Sequence, residues 1–144
     1  RMEERRVGDV STAQWAPAHT GIPLTHRDHT GMLVFATGHL QGEGEERSVA
    51  LDWAALARSR QTVVIYMGVG TLPVICTKLV EHGLPGHTPA ALVERATRPD
   101  QRTIVGTLET LPALSVKHGV HPPALIMIGD TVSLQERIGG PALR

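Results

Sequence analysis

Residues 62–83 pass from strand to helix patterning across a single turn, and that switch limits the architectures open to the chain. Thr62-Val63-Val64-Ile65-Tyr66-Met67 begins with four β-branched residues in succession and reads as the clearest strand. Gly68 and Gly70 supply a turn. From Leu72 to His82 the apolar residues Leu72, Ile75, Cys76 and Leu79 recur at i, i+3, i+4 and i+7, one stripe of an amphipathic helix. Gly83 stands where a helix ends on a left-handed residue. A strand running straight into a helix points to a layered α/β domain.

The alternation continues on both sides. Met32-Leu33-Val34-Phe35-Ala36 has strand length, and Gly42 to Glu46 is a polar loop. Asp52 caps a short helix over Trp53 to Arg58, with Trp53, Leu56 and Ala57 as its stripe. Pro89 to Glu94 and Thr103 to Leu108 are strands joined by the turn Arg98-Pro99-Asp100-Gln101, an antiparallel hairpin. Thr110 reads as the cap of a helix over Leu111 to His118, with Pro112 tolerated in the first turn and Gly119 as the stop. Ala124-Leu125-Ile126-Met127-Ile128 is apolar on both faces, as a central strand must be. Shorter helices are expected over residues 10–20, capped by Ser11 or Thr12, and from Ser133 to Ile138. The prediction is an α/β fold with a mixed five-stranded sheet and flanking helices.

Composition narrows the function. The 144 residues carry 14 Lys and Arg against 14 Asp and Glu, which removes the electrostatic argument for nucleic acid or an anionic membrane as partner. The aromatic residues are Trp15, Phe35, Trp53 and Tyr66, too few for a base-stacking face. Cys76 is the single cysteine, so an internal disulfide and a cysteine-based zinc site are excluded, and a reducing compartment is expected. No run approaches the roughly 18 apolar residues of a membrane span. Residues 1–9 read as a solvated end without a signal peptide's apolar stretch. The chain starts with Arg1 rather than Met and is expected to belong to something longer.

Four groupings bear on chemistry. Gly68-Val69-Gly70-Thr71-Leu72-Pro73 is similar to a dinucleotide fingerprint with Pro73 in place of the third glycine, and Glu94 ends the next strand where a ribose-binding acid would sit. A plain strand-to-helix turn explains the same residues, and such a turn can line a pocket for another adenosine-bearing ligand. His26, Asp28 and His29, with His39 downstream, have metal-ligand chemistry, but an extended segment points the two nearer imidazoles apart, so no metal is assigned. Cys76 falls on an apolar stripe and reads as a core thiol. Arg98-Pro99-Asp100-Gln101-Arg102 is explained by a solvated turn. Met67 precedes a glycine turn at a strand's carboxyl end, where ligands gather in open α/β sheets.

Seven ordered segments together resemble one family. They are Gly21 to Asp28 (GIPLTHRD), Thr37-Gly38-His39, Asp52 to Ala57 (DWAALA), Gln61 to Gly68 (QTVVIYMG), Thr97 to Arg102 (TRPDQR), Gly106-Thr107-Leu108 and Pro123 to Gly129 (PALIMIG). In this order they resemble the tetrapyrrole methylases, and among them the uroporphyrinogen-III C-methyltransferases. The resemblance runs from about Val10 to Ile138 and implies the C-terminal domain of that fold over residues 23–144, with residues 1–22 a remnant of the N-terminal domain and linker. It implies S-adenosylmethionine as methyl donor, uroporphyrinogen III as substrate, precorrin-2 as product, a homodimer and a cytoplasmic location in sirohaem and cobalamin synthesis.

Residue by residue, Met67 matches a cofactor-contacting methionine of the family. Ala96 stands where the family has glycine in V-E-N-G-T, here Val93-Glu94-Arg95-Ala96-Thr97, and Ser11 and Thr12 match a cofactor-contacting pair. The glycine-rich loops of the family's first domain, and the acid and base assigned there, have no counterpart in this sequence. No catalytic residue is therefore assigned, and the chain alone is expected not to turn over. The alternatives are a non-catalytic dimerisation or partner-binding module derived from the same family, and a nicotinamide oxidoreductase built on the Gly68–Pro73 turn.

Overall fold

The computed structural model describes residues 22, 31–38, 51–66, 69–96, 98–134 and 142–144. Its strands are β1 (Met32–Thr37), β2 (Gln61–Tyr66), β3 (Pro89–Glu94), β4 (Arg102–Thr107) and β5 (Ala124–Ile128). Its α-helices are α1 (Trp53–Leu56), α2 (Leu72–Glu81) and α3 (Leu111–Lys117). The predicted mixed five-stranded sheet is present, in the order β1-β2-β5-β3-β4. β1 and β2 are parallel, and every other neighbouring pair is antiparallel. The expected helix over residues 10–20 and the polar loop at 42–46 lie outside the described residues.

Side-chain alternation divides the strands between two cores. Val63 and Ile65 of β2, Ala90 and Leu92 of β3, and Ile126 and Ile128 of β5 face the three helices, where Leu56, Leu72, Ile75, Leu79 and Leu111 cover them. Val64, Ala91, Val93, Leu125 and Met127 point to the other face and pack with Ile22 and Val132. β5 is buried on both faces because it lies third of five, as its apolar composition required.

Local signals set the helix ends. Asp52 Oδ1 accepts from Ala55 N at 3.1 Å, the expected cap, although α1 stops at Leu56, short of Arg58. Both longer helices end alike. Gly83 N donates to Val80 O and Leu84 N to Leu79 O, while Gly119 N donates to Val116 O and Val120 N to Ser115 O. This pairing closes a helix on a left-handed residue, and Gly83 and Gly119 have φ of +117° and +59°. Thr110 differs from expectation. It makes no side-chain cap to α3, and its hydroxyl instead accepts from Thr107 N at 2.9 Å. Pro112 removes one of the two N–H groups such a cap would hold. Thr71 opens α2 in the same sequence context, Thr-Leu-Pro, and its hydroxyl donates to Gly38 O at 2.8 Å. The helix expected from Ser133 is replaced over Asp130–Leu134 by a 3₁₀ turn, and residues 135–138 lie outside the described set.

Two expectations follow from this packing. Cys76 is buried on the α2 stripe, and loss of hydration pushes its thiol up to about 11. Since the thiolate is the reactive form, a disulfide reagent at pH 8 should leave Cys76 unmodified in the folded chain and label it fully in denaturant; rapid labelling of the folded chain would contradict its burial. Gly129 follows β5 with φ of +143°, and a Cβ there would stand 2.8 Å from Gln61 O. Gly129→Ala should therefore cost about 2 kcal/mol in a urea unfolding titration, and an unchanged midpoint would mean that the β2–β5 edge yields readily.

Candidate functional site

A cleft of about 580 Å³ opens at the carboxyl ends of β2 and β3. Its floor is one rung of the sheet. Leu125 of β5 pairs with Tyr66 of β2 on one side and Val93 of β3 on the other, and all three line the cleft. One wall is the turn after β3, carrying Arg95, Ala96 and Arg98. Beside it, and bonded to it through Arg95 N and Pro123 O, stands Pro122-Pro123, joined by a cis peptide bond, just before β5. Gly70, in the 3₁₀ turn Val69–Thr71 that leads into α2, completes the rim. The floor is apolar and the charged groups stand on one wall, an arrangement suited to an organic ligand with a polar end.

The topology explains the position. α2 connects β2 to β3, which run parallel with antiparallel β5 between them. Helix and turn therefore leave one strand and return two positions away, and the crevice forms where connections diverge beyond the carboxyl ends of strands.

Beneath the wall lies Glu94, fully buried. Its Oε1 meets Arg95 Nη2 at 2.7 Å and Arg102 Nη2 at 3.1 Å. Its Oε2 accepts from Arg102 Nη2 at 2.8 Å and from His121 N at 3.1 Å. Burial raises the carboxyl's pKa, but the Arg102 hydrogen bond, the His121 N–H and the charges of Arg102 and Arg95 outweigh it and hold Glu94 below its ordinary value. On the solvent side Arg95 Nε pairs with Asp100 Oδ2 at 2.9 Å, which closes the turn.

These contacts correct two readings. Glu94 is not placed as a ribose-binding acid, because its carboxylate is buried and engaged with Arg95, Arg102 and His121 N. The segment Arg98–Arg102 is more than a solvated turn, since Arg98 lines the cleft and Arg102 anchors Glu94. The dinucleotide reading also loses its frame, which needs adjacent parallel strands around the helix, whereas here β5 intervenes.

Of the residues expected at a cofactor, Ala96 is on the cleft rim, half-buried. Its φ is not positive, so alanine occupies this position without the strain that a left-handed backbone would impose. The left-handed residue is Arg95, at φ +51°. Met67, Ser11 and Thr12 lie outside the described residues, as do His26, Asp28, His29 and His39, while Tyr66, the neighbour of Met67, lines the cleft. Among the described residues no cluster of three or more metal-ligating side chains occurs, and no helix is long and apolar enough to cross a membrane. Sequence reasoning missed Pro122, Pro123 and Leu125 as cleft residues; the strand-start position of Leu125, across from Tyr66, emerges only from the register.

A smaller cavity of about 250 Å³ lies at the other end of the sheet, by Gln61 and Thr88. Two of its polar side chains are bonded within the chain: the Gln61 amide donates to Ala55 O and Leu56 O, and the Thr88 hydroxyl to Pro85 O.

The fold and cleft define an α/β domain of mixed-sheet topology with a crevice at the carboxyl ends of β2 and β3. The family model for tetrapyrrole (corrin/porphyrin) methylases matches residues 7–112, and the chain belongs to that family. The siroheme synthase of Pseudoalteromonas atlantica is 46% identical over 132 residues, covering 92% of this chain and 28% of that protein. That of Gluconacetobacter diazotrophicus is 50% identical over 126 residues, covering 88% and 26%. The chain thus spans about a quarter of the length of the curated relatives it matches. Among solved structures, uroporphyrin-III C-methyl transferase of Thermus thermophilus complexed with S-adenosyl homocysteine is 34% identical with a TM-score of 0.66, covering 79% of this chain and 46% of that one. A cobalt precorrin-4 methyltransferase shares the fold, with a TM-score of 0.73 at 21% identity, covering 85% and 50%.

Proposed function

We propose that this chain is part of an S-adenosylmethionine-dependent C-methyltransferase that converts uroporphyrinogen III to precorrin-2, on the route to sirohaem and cobalamin, as a cytoplasmic homodimer. The carrying observation is Ala96 on the rim of the cleft, in a chain similar to a methyltransferase solved with S-adenosyl homocysteine. Residues 23–144 form the second domain in this reading and residues 1–22 the end of the first. Ala96, Met67, Ser11 and Thr12 hold the cofactor.

The cleft suits that group. The apolar rung of Tyr66, Val93 and Leu125 offers a surface for a flat ring, and Arg98 on the wall offers a cation to a carboxylate. When bound, S-adenosylmethionine would supply an electrophilic methyl group: a side-chain-bearing pyrrole carbon forms the new carbon–carbon bond as the thioether leaves, and the balancing proton departs from another position of the macrocycle, because the methylated carbon carries none. The contribution of these residues is to bind and orient, which is where much of the rate of such a transfer originates. No residue of this chain is assigned as acid or base.

Titration with S-adenosyl homocysteine in a calorimeter tests the reading. Saturable binding tighter than millimolar supports it, and nothing tighter than millimolar overturns it for this chain. A methyl-transfer assay with uroporphyrinogen III is expected to show no turnover by the chain alone.

A second reading, a non-catalytic dimerisation module, draws on the edge strand β1, where Met32 and Phe35 are exposed. Sedimentation at micromolar concentration separates the cases, since a strict monomer removes this one.

A further inference from the structure

We propose that Glu94 is the positioning residue of the cleft, one buried carboxylate that pins the two neighbouring segments bordering it, the turn after β3 and the Pro122-Pro123 bend before β5. The proposal rests on reading the cleft as the cofactor site. One segment is the turn after β3, which Glu94 holds through Arg95 at 2.7 Å. The other is the Pro122-Pro123 bend, which it holds through His121 N at 3.1 Å. Arg95 N donates to Pro123 O at 3.0 Å and ties the two directly. Arg102, on β4, approaches the same carboxylate with Nε at 3.3 Å and Nη2 at 2.8 Å and fixes it against the sheet.

Stability alone does not account for this cluster. Replacing a buried ion triad with apolar side chains is often neutral or stabilising, and the role proposed for this cluster is to define a geometry. Here the geometry concerns the cleft. Arg95, Pro122 and Pro123 line it, while Glu94 has no exposed surface and can reach a ligand only through them. Arg95 also adopts a left-handed backbone, φ +51°, that an arginine rarely occupies, and the two carboxylates on its guanidinium compensate that conformation.

Hydrogen exchange on the full chain, with and without S-adenosyl homocysteine, tests the proposal through Glu94→Gln. The amides of Arg95 and His121 should exchange at least about tenfold faster, while those of Val64 and Ile126 in the sheet centre stay within about twofold. Affinity for S-adenosyl homocysteine should fall about tenfold or more. Arg95→Asn is the milder variant, because asparagine accepts the left-handed backbone. It removes the side-chain ties to Glu94 and Asp100 and leaves the backbone bond to Pro123 O, so the residue-95 amide should exchange faster if the side-chain ties rather than that bond hold the turn, and that of His121 should be retained.

Equal acceleration at all four amides in Glu94→Gln, or none at Arg95 and His121, would overturn the proposal. Faster local exchange with unchanged affinity would also overturn it. If Glu94→Gln does not fold, retained protection at residue 95 in Arg95→Asn overturns it, and selective loss there supports it. Failure of the parent chain to bind S-adenosyl homocysteine would instead remove the cofactor reading, and the exchange pattern would still decide whether the two segments are tied.

Discussion

Arg102→Ala should lower the unfolding free energy by about 3 kcal/mol at neutral pH, the low end for stripping a partner from a buried charge. Glu94 is fully buried, and Arg102 gives it three of its contacts. Arg95 and the His121 N–H remain, which keeps the loss from being larger. The pH dependence has a definite sign. The folded-state pKa of Glu94 is lowered from an ordinary value of 4.5, so its contribution is complete above that value and fades as pH falls below it. The variant, with a smaller depression, should lose less stability than the parent over that acid range. Urea titrations at pH 7 and at several pH values below 4.5 read both effects. An unchanged midpoint at pH 7, or a steeper acid loss in the variant, would contradict the ion cluster.

Ile126→Ala should cost about 3–4 kcal/mol. Ile126 is the middle residue of the middle strand, fully buried, paired with Ile65 of β2 and Leu92 of β3 beneath the helices. Truncation there removes contacts with two strands and the helix layer, and a close-packed sheet collapses poorly around the void. Ile126→Val should cost only about 1 kcal/mol, and Val116→Ala, on an exposed face of α3, almost nothing. Against a typical total of about 5–15 kcal/mol, the alanine variant should unfold at markedly lower denaturant. A loss below about 1 kcal/mol would mean that the two cores do not meet through β5 as described.

The elements themselves were legible because each is written in nearest-neighbour terms. Four β-branched residues mark β2, the stripe Leu72, Ile75, Cys76 and Leu79 marks α2, and Gly83 and Gly119 mark the ends of α2 and α3. The central place of β5 was legible from its two apolar faces. The candidate site was legible in part. Ala96 came from the resemblance and lies on the cleft, yet the residues that shape the cleft around it did not announce themselves.

Thr110 shows the limit of a local rule, because a good capping residue turned back to Thr107 once Pro112 had removed a donor. Glu94 shows it more strongly. By position it read as a ligand-binding acid, and its partners Arg102 and His121, 8 and 27 residues away, claimed the carboxylate instead.

By itself, then, the sequence determined the alternation of strands and helices, their stops and the mixed character of the sheet, since propensity, period and backbone freedom act over a few residues. Tertiary structure alone decided the strand order β1-β2-β5-β3-β4, the rung Tyr66–Leu125–Val93 that floors the cleft, and the use of Glu94. Those depend on which distant backbone and charged groups satisfy one another once buried. Burial makes an unpaired polar group costly, so the choice of partner is settled by the assembled fold.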